Sequence, residues 1–378
     1  MKKLIYLVLV IGTVFLLSCE KDEDDNDPVG VAQELTGYQD TNIILEDIVD
    51  GTGADYYVTA KWTVRADVTV REGVRIRMDA DSKIEILTDG SFNAVGTADK
   101  RIIIYGNEPT KGYWQEFSFE DCNDTKNKLS FVTMSDGGGG YGAGMLDIHG
   151  NSSVEVNNTI LENSDKYGMY LTTGDEALPN FSNNVVANCA DYPIGINTGQ
   201  LHYLDGTTIF SDNGDNSYVY VDDGQVDNNV TWKKLSGPVL FYSAYNSIYA
   251  DVTVEPGAHF IMGSGGKIIV EPEGSLNMMG TADEHITITG KVNSPGYWEM
   301  IAYDDSNNPL NKLNYVDISY ANEANLRCSG STRIEIANSS FNHSANYGIY
   351  LGRDVTFTDG GGNTFTGNAS DDIYVQPR

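Results

Sequence analysis

Short runs in which apolar and polar residues alternate dominate the chain from about residue 40 onward. Residues 74–78, 83–87 and 332–336 all show this alternation. It is the period of a β-strand with one buried and one exposed face. Glycine, asparagine and aspartate separate the runs, and nothing after the N-terminal segment has a convincing helical period. The pattern predicts an all-β fold built from many short strands.

The chain contains a long internal duplication with an offset of 184 residues (66 to 250). A duplication made of short β-type segments points to a solenoid that grows by adding coils. The offset falls to 180 (168 to 348) beyond residues 137–140, because these four glycines are an insertion in the first copy. We expect them to form a flexible surface turn. The repeated segments are Ala-Asp-Val-Thr-Val at 66–70 and 250–254, Gly-Thr-Ala-Asp at 96–99 and 280–283, and Gly-Tyr-Trp at 112–114 and 296–298.

A shorter repeat lies inside each copy. Tyr170, Ile196 and Tyr220 mark successive strands in the first copy, and Ile349 and Ile373 do so in the second, at steps of 24 to 26 residues. Asparagine recurs at the corners, where it tolerates left-handed backbone and can bond its stacked neighbour. A repeat of this size is one coil of a parallel β-helix, which predicts about 14 to 16 coils.

The solenoid is predicted to occupy residues 40–378. Its two sequence copies span about 57–197 and 241–378, and no linker-like composition separates them. We therefore expect the copies to stack into one rod. The alternative is two short β-helices that touch end to end or side by side.

The N-terminal segment has the composition of a targeting signal. A basic start at Lys2 and Lys3 precedes an apolar run over 4–17, which is too short to span a bilayer. The run ends in Leu-Leu-Ser-Cys at 16–19, which resembles the lipobox of bacterial lipoproteins. The resemblance implies a signal peptide at 1–18 and a lipid on Cys19. The alternative is an ordinary secretory signal with a coincidental cysteine.

Residues 19–39 are predicted to form an acidic, disordered tether. Residues 20–28 are almost entirely charged or polar, so they repel one another and have nothing apolar to bury. A solvated spacer explains this composition, and it also resembles the export tail of surface lipoproteins in some Gram-negative bacteria. We expect a protein of the outer membrane, anchored by lipid and displayed on the cell surface.

The formal net charge of the chain is −30. No basic patch is evident that could dominate this field, so nucleic acid and anionic membrane surfaces are poor partners. Cys122, Cys189 and Cys328 lack the spacing of a metal site and do not recur between the copies. They are interpreted as small buried residues or free thiols. The five histidines show no metal-ligand spacing either.

At this level the chain resembles right-handed parallel β-helix proteins of the pectin-lyase-like class, and in particular a group of bacterial surface lipoproteins. The resemblance rests on Val-Thr-Val-Glu-Pro-Gly at 252–257, on 280–289, and on Pro-Gly-Tyr-Trp at 295–298. It implies the fold and covers nearly all of the chain after the tether. Family enzymes use Gly-His-Gly and Arg-x-Lys motifs that are absent here, so their catalytic residues cannot be carried over.

Several residues are candidates for ligand contact. Arg75 and Arg77, present only in the first copy, could form a cationic strip for an anionic glycan, or a charge ladder with Asp79 and Glu85. Tyr203, Tyr242 and Tyr245 are the leading candidates for sugar contact, because they are less repeated than other tyrosines. Trp114 and Trp298 recur at equivalent positions, which favours packing over sugar stacking.

The sequence favours a non-catalytic envelope lipoprotein that binds or scaffolds, in contact with polysaccharide or another envelope protein. No cofactor is predicted for this function. The alternative is a polysaccharide lyase or glycosidase on the same fold. A lyase would hold Ca²⁺ through loop carboxylates, for which Asp304 and Asp305 are the candidates.

Overall fold

The computed structural model of the protein describes residues 30–173, 177–242 and 245–377. The chain forms a parallel β-solenoid of about 14 turns, which confirms the predicted all-β class and the predicted number of coils. In chain order, the described coils contribute a leading, a central and a trailing strand, except one in which a 3₁₀ turn replaces the trailing strand. Strands of one kind stack into one face of the solenoid.

The central face is continuous along the solenoid. It begins with the second halves of β1 (Gln33–Gln39) and β3 (Tyr56–Val64), whose first halves belong to the leading face. The remaining central strands are β6 (Lys83–Leu87), β9 (Phe117–Glu120), β12 (Gly144–Gly150), β15 (Tyr167–Thr173), β18 (Ile194–Asn197), β20 (Val219–Asp222), β23 (Val239–Phe241), β26 (His259–Met262), β29 (Ile286–Gly290), β32 (Val316–Ser319), β35 (Ser340–Asn342) and β38 (Thr364–Thr366).

The leading face comprises one sheet from each copy. In the first copy it continues from β3 through β5 (Arg75–Met78), β8 (Ile102–Gly106), β11 (Val132–Ser135), β14 (Ile160–Glu162), β17 (Val185–Ala187) and β19 (Ile209–Ser211). In the second copy it comprises β22 (Val230–Trp232), β25 (Asp251–Val254), β28 (Ser275–Met279), β31 (Lys312–Asn314), β34 (Arg333–Ala337) and β37 (Thr356–Gly361).

The trailing face is also divided into two sheets. The first comprises β2 (Ile43–Leu45), β4 (Asp67–Val70), β7 (Ser91–Val95), β10 (Lys128–Ser130), β13 (Glu155–Asn157) and β16 (Phe181–Ser182). The second comprises β21 (Gly224–Val226), β24 (Asn246–Ile248), β27 (Lys267–Val270), β30 (Met300–Asp304), β33 (Ala324–Ser329), β36 (Tyr347–Leu351) and β39 (Ile373–Val375). Between them the coil carries a 3₁₀ turn at Thr198–Tyr203, and a second 3₁₀ turn lies at Gly214–Asn216.

Strand β1 corrects one predicted boundary. It pairs with β3 over its whole length, so residues 33–39 belong to the solenoid and not to the tether. The predicted tether was too long because only one residue of this strand, Leu35, is buried. The sequence of a terminal strand with one buried side chain looks like that of a polar loop.

The interior is filled by the apolar residues of the alternating runs. Ile76 and Met78 are fully buried while Arg75 and Arg77 face outward, as the alternation predicts. Cys122, Cys189 and Cys328 are free thiols and buried, which confirms their interpretation as packing residues. Burial raises the pKa of Cys189 to about 12, so this thiol stays protonated.

Asparagine turns the corners as the sequence predicts. Asn163 and Asn188 both have left-handed backbone, with φ of 59° and 52°. The Asn188 amide donates to Oδ1 of Asn163 at 2.9 Å, and the Asn163 amide donates to Oδ1 of Asp136 at 2.7 Å. These side-chain bonds run from coil to coil along one corner and fix the coils in register.

Equivalent strands of the two sequence copies lie on different faces of the solenoid. Pairing continues from β18 through β20 and β23 to β26, so the copies share one sheet. The repeated Asp-Val-Thr-Val is the trailing strand β4 in the first copy and the leading strand β25 in the second. Likewise β5 is a leading strand, whereas its equivalent β26 is central. The repeat is therefore displaced by one face between copies.

Candidate functional site

Five tyrosines from four consecutive coils form an aromatic cluster on the outer surface of the central face. We call Tyr167, Tyr170, Tyr192, Tyr220 and Tyr242 the tyrosine ridge. The ring centroid of Tyr167 lies 5.1 Å from that of Tyr170, 5.9 Å from Tyr192 and 5.8 Å from Tyr220. Tyr220 lies 5.0 Å from Tyr192 and 5.4 Å from Tyr242. The cluster is thus one connected surface.

Strand register brings these rings together. Tyr170 pairs with Gly195, and Gly195 pairs with Tyr220. The repeat spacing had aligned Tyr170 with Ile196, which is wrong by one residue, and Ile196 points inward. A Cβ at Gly195 would lie only 2.5 Å from the Tyr170 ring and 2.9 Å from the Tyr167 ring. The glycine therefore makes room for the two rings.

The ridge is amphipathic and uncharged. Its rings are partly buried except that of Tyr242, which is 53% exposed. Burial, with a smaller effect of Asp222, raises the pKa of Tyr220, and burial also raises the pKa of Tyr167 and Tyr170. These hydroxyls consequently stay protonated and can both donate and accept hydrogen bonds.

The Lys291 side chain borders the ridge. The Lys291 ammonium lies 5.7 Å from the ring centroid of Tyr192 and 5.5 Å from that of Tyr218. Its Nζ donates to the Tyr192 hydroxyl at 3.5 Å. This cation–π contact links a later coil to the ridge and holds the Tyr192 ring in place.

A second cluster lies on the central face, next to the ridge, and contains Asp147, His149, Glu116 and Glu120. Asp147 is fully buried although it points outward, because Gly142 and Gly144, which follow the glycine insertion, pack against its carboxylate. Gly144 N–H donates to Asp147 Oδ1 at 2.8 Å, and a Cβ at Gly142 would collide with the carboxylates of Asp147 and Glu116. The insertion at 137–140 is itself packed, because the N–H groups of Gly138 and Gly139 donate to the carbonyl oxygens of Gln115 and Trp114 at 2.7 and 3.0 Å, so it is not the loose turn that the sequence suggests.

The Asp147 carboxylate is poorly compensated, whereas Glu116 pairs with Lys83 at 3.1 Å and accepts from the Gly142 N–H at 3.0 Å. The second oxygen of Asp147 has no hydrogen-bond partner, and the nearest cation-forming group, His149 Nε2, is 3.6 Å away. Burial raises the pKa of Asp147 and of Glu120, whereas the neighbouring Asp147 carboxylate raises the pKa of His149. Each of the three groups therefore keeps its proton to a higher pH in the folded protein than in the unfolded chain.

Arg75 and Arg77 lie on the leading face, where aromatic rings and a carboxylate partner them. Arg77 is 3.3 Å from Asp79 and lies over the Tyr57 ring, and Arg75 lies over Tyr105. The expected contact with Glu85 is not made, because β5 pairs with β3 and β8 and not with β6. Glu85 pairs instead with Lys61 and Lys83.

The structure places the remaining candidates apart from one another. Tyr242 belongs to the ridge. Tyr245 lies between β23 and β24, with the Lys267 ammonium over its ring, and Tyr203 lines a cleft near the trailing face. Asp304 accepts from Ser329 and pairs with Arg327 at 3.3 Å, while Asp305 accepts from the Ser331 N–H. Within residues 30–173, 177–242 and 245–377, no cluster of three or more His, Cys, Asp or Glu could hold a metal ion.

The predicted signal peptide, Cys19 and the tether up to residue 29 lie outside the described residues. In the part of the chain that the structure describes, no helix is long and apolar enough to cross a membrane. No family model, curated protein or solved structure matches this chain.

Sequence reasoning found one end of the ridge, Tyr242, and missed its centre. Tyr167 and Tyr170 recur in the second copy, so repetition favoured a structural role for them. Tyr192 and Tyr220 lie in coils without an equivalent aromatic pattern. The signal that could have found them is the step from Tyr170 to Tyr220, which spans two coils of one outward column.

Proposed function

We propose that this protein is a lipid-anchored envelope protein that binds polysaccharide through the tyrosine ridge without cleaving it. The observation that carries the proposal is the connected set of five tyrosine rings on the outer surface of one face. The C–H faces of pyranose rings stack on aromatic rings, while the phenolic hydroxyls offer hydrogen bonds to sugar hydroxyls.

The dimensions of the ridge suit a polymer. Strands of neighbouring coils are about 4.8 Å apart, so the three steps from β15 to β23 extend the ridge over about 14 Å. A short run of sugar residues fits along this length. The ridge lies on the outer surface of the central face, which continues on both sides of it, so a chain longer than the ridge can follow this face.

The envelope address rests on the N-terminal sequence. The lipobox-like Leu-Leu-Ser-Cys ending at Cys19 and the acidic tether favour lipid anchoring at the outer membrane, and the repeat pattern favours the pectin-lyase-like surface lipoproteins. The test is Cys19→Ala, which should release the protein from the membrane fraction and abolish metabolic lipid labelling. Retention in that fraction would contradict the anchor.

Binding is tested with the full mature chain on immobilised polysaccharides, by affinity electrophoresis. Replacing both Tyr170 and Tyr220 by Ala should weaken retention about tenfold, since each aromatic contact contributes about 0.5–1.5 kcal/mol. Tyr249→Ala is the matched control, because Tyr249 is 40% exposed and lies outside the ridge. It should change nothing.

Two results would contradict the proposal. Equal retention of the double variant and the wild type would show that the ridge does not bind polysaccharide. Release of reducing ends or unsaturated uronates by the wild-type protein would show that the protein is a hydrolase or lyase, which is the alternative that the fold offers.

A further inference from the structure

The trailing face is interrupted near the junction of the two sequence copies. Its first sheet ends at β16 and its second begins at β21, with the 3₁₀ turn Thr198–Tyr203 between them. The turn does not pair as a strand, and a cleft of about 1300 Å³ opens beside it. We call this space the junction cleft. It exceeds the range of about 300–1,000 Å³ typical of small-molecule pockets.

Neutral hydrogen-bonding side chains dominate the lining of the junction cleft. Asn180 and Ser182 come from the end of the first sheet, and Asn197 and Gln225 come from the following coils. Gln225 is exposed, and its amide donates to Asp227 Oδ2 at 2.8 Å. Amide and hydroxyl groups donate and accept at once, as sugar hydroxyls do.

Two aromatic rings are fixed in the same cleft. The rings of His202 and Tyr203 are 4.1 Å apart and tilted by 39°. Tyr203 is held by its hydroxyl, which accepts from the Ala177 N–H at 3.3 Å, and His202 Nδ1 lies 2.8 Å from the Gly199 carbonyl oxygen. A ring fixed before binding loses little conformational entropy when a ligand stacks on it.

The charge of the lining selects among sugars. Four carboxylates, those of Asp124, Glu155, Asp205 and Asp227, and one lysine, Lys233, line the cleft. Lys126 pairs with Asp124 at 3.5 Å and Lys128 with Glu155 at 3.0 Å, so the local negative excess comes from Asp205 and Asp227. The field of a chain with net charge −30 adds to this local excess. Uronates, sulfated sugars and phosphates are therefore repelled, whereas uncharged sugars are not.

We propose that the junction cleft binds a neutral oligosaccharide, stacked against Tyr203 and hydrogen-bonded to the amide side chains. The cleft belongs to a different face from the tyrosine ridge. The inference adds a second site to the proposed function and does not require the ridge to bind.

The experiment uses the mature chain with Tyr170→Ala and Tyr220→Ala, so that the ridge is disabled. Titration calorimetry compares neutral gluco-, xylo- and manno-hexaoses with hexagalacturonate. This ridge-deficient protein should bind at least one neutral hexaose and should not bind hexagalacturonate. Tyr203→Ala on this background should weaken binding about tenfold or more. Gln225→Ala, which removes only an exposed side chain and spares the core, should weaken it about threefold.

The outcomes separate the two sites. Unchanged affinity after both Tyr203→Ala and Gln225→Ala would contradict binding in the junction cleft. The same conclusion would follow if the ridge-deficient protein bound hexagalacturonate in preference to the neutral hexaoses, or if it bound none of these sugars. Failure of the ridge would instead show as equal polysaccharide retention with and without Tyr170 and Tyr220. Thermal denaturation of each variant confirms that it is folded.

Discussion

The central face of the first copy and the trailing face of the second carry equivalent strands but different outward chemistry. Asp147 on β12 corresponds to Arg327 on β33, and Glu120 corresponds to Asp304. In the second copy these positions form an ion pair at 3.3 Å, with the arginine also over the Tyr350 ring. In the first copy they are two carboxylates, of which Asp147 is fully buried. The outward-facing residues have diverged between the copies, whereas the inward-facing residues still form the same coil.

The aromatic residues differ between these regions in the same way. The Tyr-x-x-Tyr of β15 is repeated in β36, where Tyr347 and Tyr350 meet only one further tyrosine, Tyr374, among the described residues. In the first copy the pair is extended across three more coils into the ridge. The repeated Tyr-x-x-Tyr pair is therefore common to both copies, and the unrepeated tyrosines determine the size of the aromatic surface.

The largest expected effect concerns what the copies share. Trp114 and Trp298 are both fully buried, and their indole N–H groups donate to the carbonyls of Ser135 and Ser319 at 2.7 and 2.8 Å. Trp114→Ala and Trp298→Ala should each lower the free energy of unfolding by about 3–5 kcal/mol. Urea denaturation followed by circular dichroism measures both. Losses that differ by more than about 2 kcal/mol would show that the face, and not the repeat, sets their role.

A smaller effect of opposite sign is expected where the copies differ. Asp147→Asn should raise the free energy of unfolding at pH 7.5 by on the order of 1 kcal/mol, because it removes a buried negative charge with an unpartnered oxygen. Because the pKa of Asp147 is raised, the wild-type protein has the full stability linked to this carboxyl below the unfolded carboxyl pKa of about 3.9. It loses that stability as the pH rises through the folded pKa. The raised pKa of His149 acts in the same direction, with its loss above about pH 6.5.

The gain from Asp147→Asn should therefore shrink as the pH is lowered, in urea titrations at pH 7.5, 6 and 4.5. Asp304→Asn is the matched control in the second copy, where the carboxylate has Arg327 as a partner. It should leave stability unchanged or lower it by less than about 1 kcal/mol. A stabilising Asp304→Asn, or a destabilising Asp147→Asn at pH 7.5, would contradict the difference drawn between the copies.

The smallest effect is expected for the arginines. Replacing Arg75 and Arg77 by their second-copy counterparts, His and Ile, removes one partly exposed ion pair and two cation–π contacts, and should cost about 1 kcal/mol or less. Affinity for an anionic glycan such as hexagalacturonate should not change, because these side chains are already engaged. If the double variant bound the anionic glycan more weakly than the wild type at unchanged stability, Arg75 and Arg77 would form a cationic ligand site after all.

The coil could be predicted from the sequence because its determinants are local. Alternation fixes which side of a strand is apolar, and Asn163 and Asn188 mark corners by their tolerance of left-handed backbone. The register could not be predicted to the residue. Aligning Tyr170 with Ile196 instead of Gly195 is an error of one position, and one position exchanges the inner and outer sides of a strand.

The burial of Asp147 could not be predicted either, because Gly142 and Gly144, which cover it, follow the glycine insertion and look like part of the same loose turn in the sequence. The contact of Gly142 with Glu116 exists only after two consecutive coils have stacked. The ridge has the same property, since its rings come from four coils. Pairwise contact between residues 25 or 50 positions apart leaves no local pattern.

The sequence by itself determined the strand period, the size of the coil and the duplication, since each depends on side chains a few residues apart or on identical text. The tertiary structure alone decided that the second copy is displaced by one face from the first. The leading, central and trailing strands have similar inward apolar patterns, so any of them can stack on the central face. The strand that stacks there is set by how many strands and turns separate the two copies, namely the 3₁₀ turn and the short strands that join them.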